Sequence, residues 1–472
     1  MEYPRPRWTQ TFISTMDLSG TPTTIVGPED KVYFAVASKG LFAGISTSKY
    51  NIFIGCINGE GTTEWIFHDP QLISNSDDTQ PVIALGPQGE LYIAFTTQGN
   101  VPGLYNGADI PSLCGSCGST AGRQDLVLAR INGATVGTPS VAWRIQNGYL
   151  NSCNNEYLPQ LVVDAINNQL IVAYECNAAT LCSPSIGTNN IIVASITLGG
   201  VYQWSYQGPL LNGTGANRSP TVAVDLSGNV YVAYTITSPV SGGTMQGSQD
   251  VEVVRLTRNG LVGRDWILSS MTIVNSIGVN ADPHIVFDPS TRRLYLAFTA
   301  TAVVPGGTKT ATGSDLVIAC LKTDGTLAFL LQSAAFNGTS YHYSFIDHPK
   351  ITLNRYGVLY IAAHAILEST GSEMILAFQL NPGIFKGWFF QQGANEFNAY
   401  LAAADIVAPF QVLLVSAPFS PPSITTFAGQ VFLTFIRYNS ATLYVVALAQ
   451  NINYLEYTAQ QYMQNIVPLC RS

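Results

Sequence analysis

Seven copies of one short pattern constrain this chain more than any other feature. Proline opens each copy, at Pro22, Pro81, Pro159, Pro220, Pro283, Pro349 and Pro422, with successive spacings of 59, 78, 61, 63, 66 and 73 residues. After each proline comes a short apolar run, a polar turn, and a second run reading apolar, aromatic, apolar, small, aromatic. These second runs are VYFAV from Val32, LYIAF from Leu91, LIVAY from Leu170, VYVAY from Val230, LYLAF from Leu294, LYIAA from Leu359 and VFLTF from Val431. They are rich in Val, Ile, Tyr and Phe and bounded by Gly, Asn, Asp and Pro, which is strand and hairpin chemistry. A third run follows each pair, as in NIFIGCI from Asn51, DVEVVRL from Asp250 and DLVIACL from Asp315. A fourth carries an aromatic, at Trp65, Trp143, Trp204, Trp266 and Trp388, with Phe329 in the fifth copy. Four antiparallel strands in each of seven repeats predict an all-β chain, a seven-bladed β-propeller.

The run Ala223 to Tyr234, AVDLSGNVYVAY, is similar to the seven-bladed β-propeller repeat family often labelled SBBP. Gly306 to Thr308, Asp315 to Ala319, and Asp324 with Gly325 fit the same pattern. The resemblance is best in the fourth and fifth copies and has drifted in the first, sixth and seventh, at Ala363 and Thr434 among other places. It implies a fold without an activity, and a setting in bacterial surface proteins or large-DNA-virus proteins.

Repeats override the prior that 472 residues make two or three domains, because blades share one continuous core. A single domain is expected, with residues 1–20 as a closing strand and blades near 21–79, 80–158, 159–218, 219–281, 282–347, 348–405 and 406–460. Residues 461–472 form a tail. Trp8 sits in RWTQTFIST, a context like that of the other fourth strands, so the N-terminal strand is expected to complete the last blade and tie both termini together; YLEYTAQ from Tyr454 is the competing candidate.

Charged residues are 11% of the chain, against about 25% in ordinary soluble proteins. A formal charge of -8 without a basic stripe argues against nucleic acid as a partner. The N-terminus lacks the apolar core of a signal peptide, and no run reaches the roughly 18 apolar residues of a spanning helix, so membrane insertion is not expected. The expected location is a virion or extracellular surface.

Strand order places the loops between second and third strands on the same face as the connections between blades. Four such loops are long, Gln98 to Gln124, Asn177 to Asn189, Ser238 to Gln249 and Thr301 to Ser314, and they make the candidate binding face. The apolar connection Phe397 to Pro421 is either an extra strand pair or a contact patch.

Cys56 and Cys320 fall at one position of the third strand and read as small core residues. Cys114, Cys117, Cys153, Cys176 and Cys182 map to the looped face, where the expected disulfides are Cys176 with Cys182, then Cys114 or Cys117 with Cys153; Cys470 near the end is free to cross-link a neighbour. Zinc at Cys114 and Cys117 is the rival reading, but no second pair at knuckle spacing exists. Acidic residues shortly before the opening prolines, Asp78, Glu156, Asp282 and Asp347, are candidates for a cation site at the axial mouth or ordinary turn residues. Asp125, Asp250 and Asp315 read as turn caps. Asn212, Asn217 and Asn337 stand in Asn-x-Ser/Thr triplets.

Neither HExxH nor GxSxG occurs, no spacing pairs a histidine with a nucleophile, and no cofactor is expected. The expected function is therefore non-enzymatic, a structural or interaction component that presents its looped face to a protein partner or self-associates. The alternative is a lectin-like propeller binding glycans, using loop aromatics such as Tyr105, Tyr149, Tyr341 and Tyr343. The third is a propeller hydrolase or lyase. The last has a specific structural requirement: His284 and His348, beside Pro283 and Pro349, must meet Asp282 and Asp347 at the axis.

Overall fold

The computed structural model describes residues 6–104, 123–152, 154–178, 185–256, 264–268, 274–309, 311–332, 343–353, 357–367, 373–380, 410–412, 422–427, 430–437 and 441–448. They form seven four-stranded antiparallel sheets. In each, the strand bearing the opening proline lies at one edge, and each of these edge strands touches its counterpart in the next sheet, the seventh returning to the first. The sheets thus stand as blades around an axis lined by Asp17–Val26, Asp78–Leu85, Glu156–Asp164, Asn217–Val224, Asn280–Asp288, Tyr343–Leu353 and Ser423–Phe427.

The second and third strands of a blade are packed on both faces, which is why they read as continuous apolar runs instead of alternating ones. Val230–Ile236 is buried throughout. Its Tyr231 and Ala233 share one core cluster with Leu294, Leu296 and Phe298 of the following blade. Within blades the second-strand aromatic packs on the fourth-strand ring, as Tyr33 on Trp65 and Tyr92 on Trp143, both with centroids 6.0 Å apart, and Tyr295 on Phe329 at 6.3 Å. These aromatics hold blades together and are not sugar platforms.

The same ring pair explains closure. Pro6–Ile13 is the outermost strand of blade seven, pairing with Thr442–Leu448, and Trp8 lies 5.9 Å from Phe432, the second-strand aromatic of that blade. Trp8 Nε1 also donates to Gly59 O of blade one at 3.0 Å. Gly61 there has φ +88°, and a Cβ on it would come within 2.7 Å of the Trp8 ring. Trp8→Ala should therefore destabilise the protein by roughly 2–3 kcal/mol in urea unfolding, since it empties a partly buried aromatic site at the ring's seam. An unchanged midpoint would mean that this strand does not close the ring. Tyr454 and Trp388 lie outside the described residues; the described fourth strand of blade six is Phe410–Val412, inside the apolar connection.

The opening prolines have a common geometry. In blades two to six the edge strand loses register across the proline, between Thr79 and Val82, Tyr157 and Gln160, Arg218 and Thr221, Ala281 and His284, and Asp347 and Lys350. Proline has no N–H to give the ladder, so a bulge on an edge strand is where it fits. The residue before it takes positive φ in every case: Gln80 (54°), Leu158 (50°), Ser219 (52°), Asp282 (53°) and His348 (47°). Such a conformation costs a non-glycine residue on the order of 1–3 kcal/mol and is sustained by the surrounding structure. Bulges re-aim side chains. Here repetition delivers one such bulge to the axis from each of blades two to six, and sequence drift decides which side chains it presents.

Candidate functional site

The bulge sits at the looped end of the blade. In blades three to six an N–H three residues before the proline donates back to the end of the preceding blade's loop, Glu156 N to Gln124 O, Asn217 N to Asn189 O, Asn280 N to Gln249 O and Ile346 N to Ser314 O. The ends of the loops Gln98 to Gln124, Asn177 to Asn189, Ser238 to Gln249 and Thr301 to Ser314 therefore stand beside the bulges. Residues 105–122, 179–184 and 310 of these loops lie outside the described ones.

At equivalent positions the blades differ sharply. Opposite the residue two before the proline, the second strand carries Thr96 in blade two, Glu175 in three, Thr235 in four, Thr299 in five and His364 in six. In blade two this pair is Thr79 and Thr96, whose hydroxyls lie 3.1 Å apart. In blade six it is Asp347 and His364, with Nδ1 at 2.9 Å from Oδ1. His348 Nδ1 reaches the same Oδ1 at 3.2 Å, and its Nε2 lies 3.8 Å from Asp282 Oδ2 of blade five, an ion-pair distance too long for a hydrogen bond. His284 and Lys350 follow the prolines of these same two blades. Six ionisable residues are thus gathered on two adjacent blades, whereas the equivalent positions of blades two to four carry hydroxyls, amides and aliphatics apart from Tyr157, Glu175 and Arg218.

Their environments drive their charges apart. Burial alone pushes the Asp347 carboxyl upward, but hydrogen bonds from His348 and His364 outweigh it and hold it down to about 2. Burial opposes protonation of His348, yet its bond to Asp347 and the charge of Asp282 win, and its pKa is raised. Lys350 is lowered to about 8 by burial, partly offset by Asp282. Burial, with the charge of Lys350 adding to it, lowers His284 well below the ordinary histidine range. The mouth thus holds an Asp347 kept ionised, a His348 whose protonated form is favoured and whose side chain is 48% exposed, and a His284 kept toward its neutral form. Groups separated in pKa in this way are what acid–base chemistry requires.

Several expected site residues have other roles. Asp78 and Glu156 do not join Asp282 and Asp347 around a cation: they begin their edge strands one residue further from the proline than Asp347 and two further than Asp282, and turn into the preceding connections. Asp78 accepts from Ser74 N at 3.0 Å and Glu156 from Ser152 N at 2.9 Å. Among the described residues no group of three His, Cys, Asp or Glu is arranged to hold a metal ion. Asp250 and Asp315 cap turns, from Gln246 N at 2.6 Å and Ala311 N at 2.7 Å; Asp125 and Asp315 also accept from glutamine side chains, Gln146 at 3.0 Å and Gln332 at 3.1 Å.

The Cys176 to Cys182 disulfide is also corrected. Cys176 is a free, fully buried thiol lying 3.3 Å from Glu156 Oε1 and 3.0 Å from Ala178 O, so it is committed to the interior of blade three. Cys114, Cys117, Cys153, Cys182 and Cys470 lie outside the described residues. Cys56 and Cys320 are buried thiols, as their strand position required. Asn212 and Asn217 are buried and bonded to backbone, Asn212 to Ile191 and Asn217 to Asn189, which leaves no room for a glycan. Asn337 lies outside the described residues. Tyr149 is exposed and stacks on Tyr202 with centroids 4.9 Å apart; Tyr105, Tyr341 and the Tyr343 side chain are not among those described. Among the described residues no helix is long and apolar enough to cross a membrane.

No family model matches the chain, and no curated protein matches it. It is similar in fold to several solved structures. One is the α-L-arabinofuranosidase arb93a of Fusarium graminearum, 11% identical, covering 81% of this chain and 96% of that one with a TM-score of 0.45. Another is the polysaccharide lyase Uly1, 9% identical over 91% and 90% at 0.47. A third is the NanB sialidase of Streptococcus pneumoniae, 11% identical over 95% and 71% at 0.41. At these scores the likeness is one of general plan, and no residue correspondence is drawn from it.

The expectation of a non-enzymatic structural component is corrected at this point. The proteins of similar fold just named are an arabinofuranosidase, a polysaccharide lyase and a sialidase, each an enzyme that processes carbohydrate. In this chain the convergence asked of an enzyme is present in part: His348 joins Asp347 and Asp282, whereas among the described residues His284, on the neighbouring bulge, accepts from Ile351 N and meets neither carboxylate. Lys350 and His364 were not foreseen as members. Their signal was positional, since they replace the side chains that the repeat otherwise carries, and it becomes visible once strand register is known.

Proposed function

We propose that the protein is a carbohydrate-processing enzyme whose axial mouth cleaves a glycosidic bond by acid–base catalysis. The observation that carries the proposal is the shared Asp347 Oδ1, which holds His348 and His364 together and keeps His348 protonated beside Asp282. In this reading the His348 imidazolium donates its Nε2 proton to the departing glycosidic oxygen. The Asp282 carboxylate accepts a proton from the attacking water, so the C–O bond breaks and a hydroxyl is formed on each product. Asp347 stays ionised and fixes the ring, and His364 positions Asp347. Positive φ at Asp282 and His348 sets both groups on bulges held by the ring, the rigid placement that proton transfer demands.

The test is a panel of plant, algal and animal polysaccharides, assayed for new reducing ends and for unsaturated products with the wild type and His348→Gln. Release by the wild type and its loss in the variant support the proposal. Equal release by both proteins, or none by the wild type from any member while it binds several of them, would leave the lectin-like reading in its place.

A further inference from the structure

The residue after the opening proline recurs in one structural role, in which its side chain accepts a hydrogen bond from the second N–H past the proline of the next blade. Thr23 accepts from Ile83 N at 3.2 Å, Thr221 from Ile285 N at 3.4 Å, and Ser423 from Thr24 N at 3.2 Å across the closing seam. His284 takes the same role with its Nδ1, 3.3 Å from Ile351 N. A backbone N–H can only donate, so Nδ1 is unprotonated and the ring's single proton is on Nε2. In blade six the position is Lys350, whose ammonium carries donors alone and cannot continue the belt.

Two partly buried donors are therefore left at adjacent blades. Among the described residues, neither the ammonium of Lys350 nor Nε2 of His284 has an acceptor within hydrogen-bond distance, although both residues sit on inner strands where Thr23, Thr221 and Ser423 make the inter-blade bond. Neither nitrogen is among the buried polar atoms left without a partner, so both reach the solvent of the mouth, where donors held at adjacent bulges are open to an acceptor on a ligand. The Asp282 carboxylate is not that acceptor, because its nearest cationic partner is His348. We propose that His284 and Lys350 form a carboxylate subsite, so that the saccharide processed at this mouth is an acidic one, its uronate oxygens taking one hydrogen bond from Nε2 and a charged one from Nζ. This rests on the reading of the mouth as a carbohydrate site and names its substrate class.

The test uses the full chain with two matched probes, D-glucuronate oligomers and the same oligomers with their carboxylates reduced to alcohols, in titration calorimetry. The wild type is expected to bind the acidic oligomer at least tenfold more tightly. Lys350→Met should abolish that difference while leaving the neutral oligomer unaffected, and Lys350→Arg, which keeps the charge and controls for folding, should retain most of it. His284→Val should lower acidic-oligomer affinity, and His284→Gln, which can both accept and donate, should restore part of it. Equal binding of the two probes, or acidic binding unchanged in Lys350→Met, would overturn the subsite. His348→Gln separates the two claims: it should retain the acidic preference, and if it also retains turnover then the catalytic reading fails while the subsite stands.

Discussion

Replacing His348 by Gln is expected to lower turnover by about 10²–10⁴-fold, the span of a positioned general acid, with little change in stability at the mouth of the ring. Gln keeps a donor but cannot transfer a proton at neutral pH. Asp347→Asn should cost nearly as much by a different route. It removes the charge that raises His348 and the oxygen shared with His364, so the remaining activity should shift to lower pH as His348 loses its proton earlier. In the wild type, activity should hold above the ordinary histidine range and fall as pH rises through the raised pKa of His348. His364→Gln separates positioning from catalysis: a purely structural role would lower activity without moving the pH profile, whereas a role through Asp347 moves it. The profile is measured on whichever polysaccharide the panel identifies. An alkaline limb that stays in place in Asp347→Asn would contradict the assignment.

Glu156→Gln is expected to stabilise the protein, and increasingly so at higher pH. Glu156 is fully buried, its Oε2 has no hydrogen-bond partner, and burial followed by the charge of Asp125 pushes its pKa up to about 8, only partly offset by bonds from Ser152. The folded state therefore binds a proton that the unfolded chain releases near 4.3. That contribution is fully present below the unfolded pKa and is lost as pH rises through about 8. At about 1.4 kcal/mol per pKa unit, the loss amounts to several kcal/mol at most. Asp78, raised to about 6 mainly by burial, adds a smaller loss of the same sign ending near its own folded value. Glutamine keeps the acceptor for Ser152 N and needs no proton. Urea unfolding at pH 5 and pH 9 should show the two proteins nearly equal at the lower pH and the variant more stable at the higher. Parallel curves at both would mean that Glu156 is ionised in the fold.

The fold was legible because every blade repeats the same physical solution. Proline at a bulge, an all-apolar second strand and a fourth-strand tryptophan are local signals, and seven copies average out the drift that hides any one of them. Closure by Trp8 was legible for the same reason, its neighbours matching those of the other tryptophans. The site was only half legible. Asp282, Asp347, His284 and His348 stand beside prolines and could be named from sequence. Asp78 and Glu156 stand almost as close, yet they lie one residue earlier than Asp347 and two earlier than Asp282 and close the connections behind them. One residue along a bulged strand exchanges the axis for the interior. His364 and Lys350 needed the cross-strand register before their departure from the repeat could be recognised. Cys176 misled because its six-residue spacing from Cys182 fits a loop staple, whereas the strand runs on through Cys176 and buries its thiol against Glu156.

The proposed acid–base centre on two bulges can be tested without knowing the substrate. The measurement is a titration of the five histidines by imidazole ¹⁵N NMR, in the wild type and in Asp347→Asn. One ring, His348, is expected to keep its proton above the ordinary histidine range and to return toward it in the variant. Another, His284, is expected to stay neutral with its proton on Nε2 across the stable range of the fold. Two rings that both titrate near the ordinary value, with His348 unmoved by Asp347→Asn, would contradict the acid–base centre.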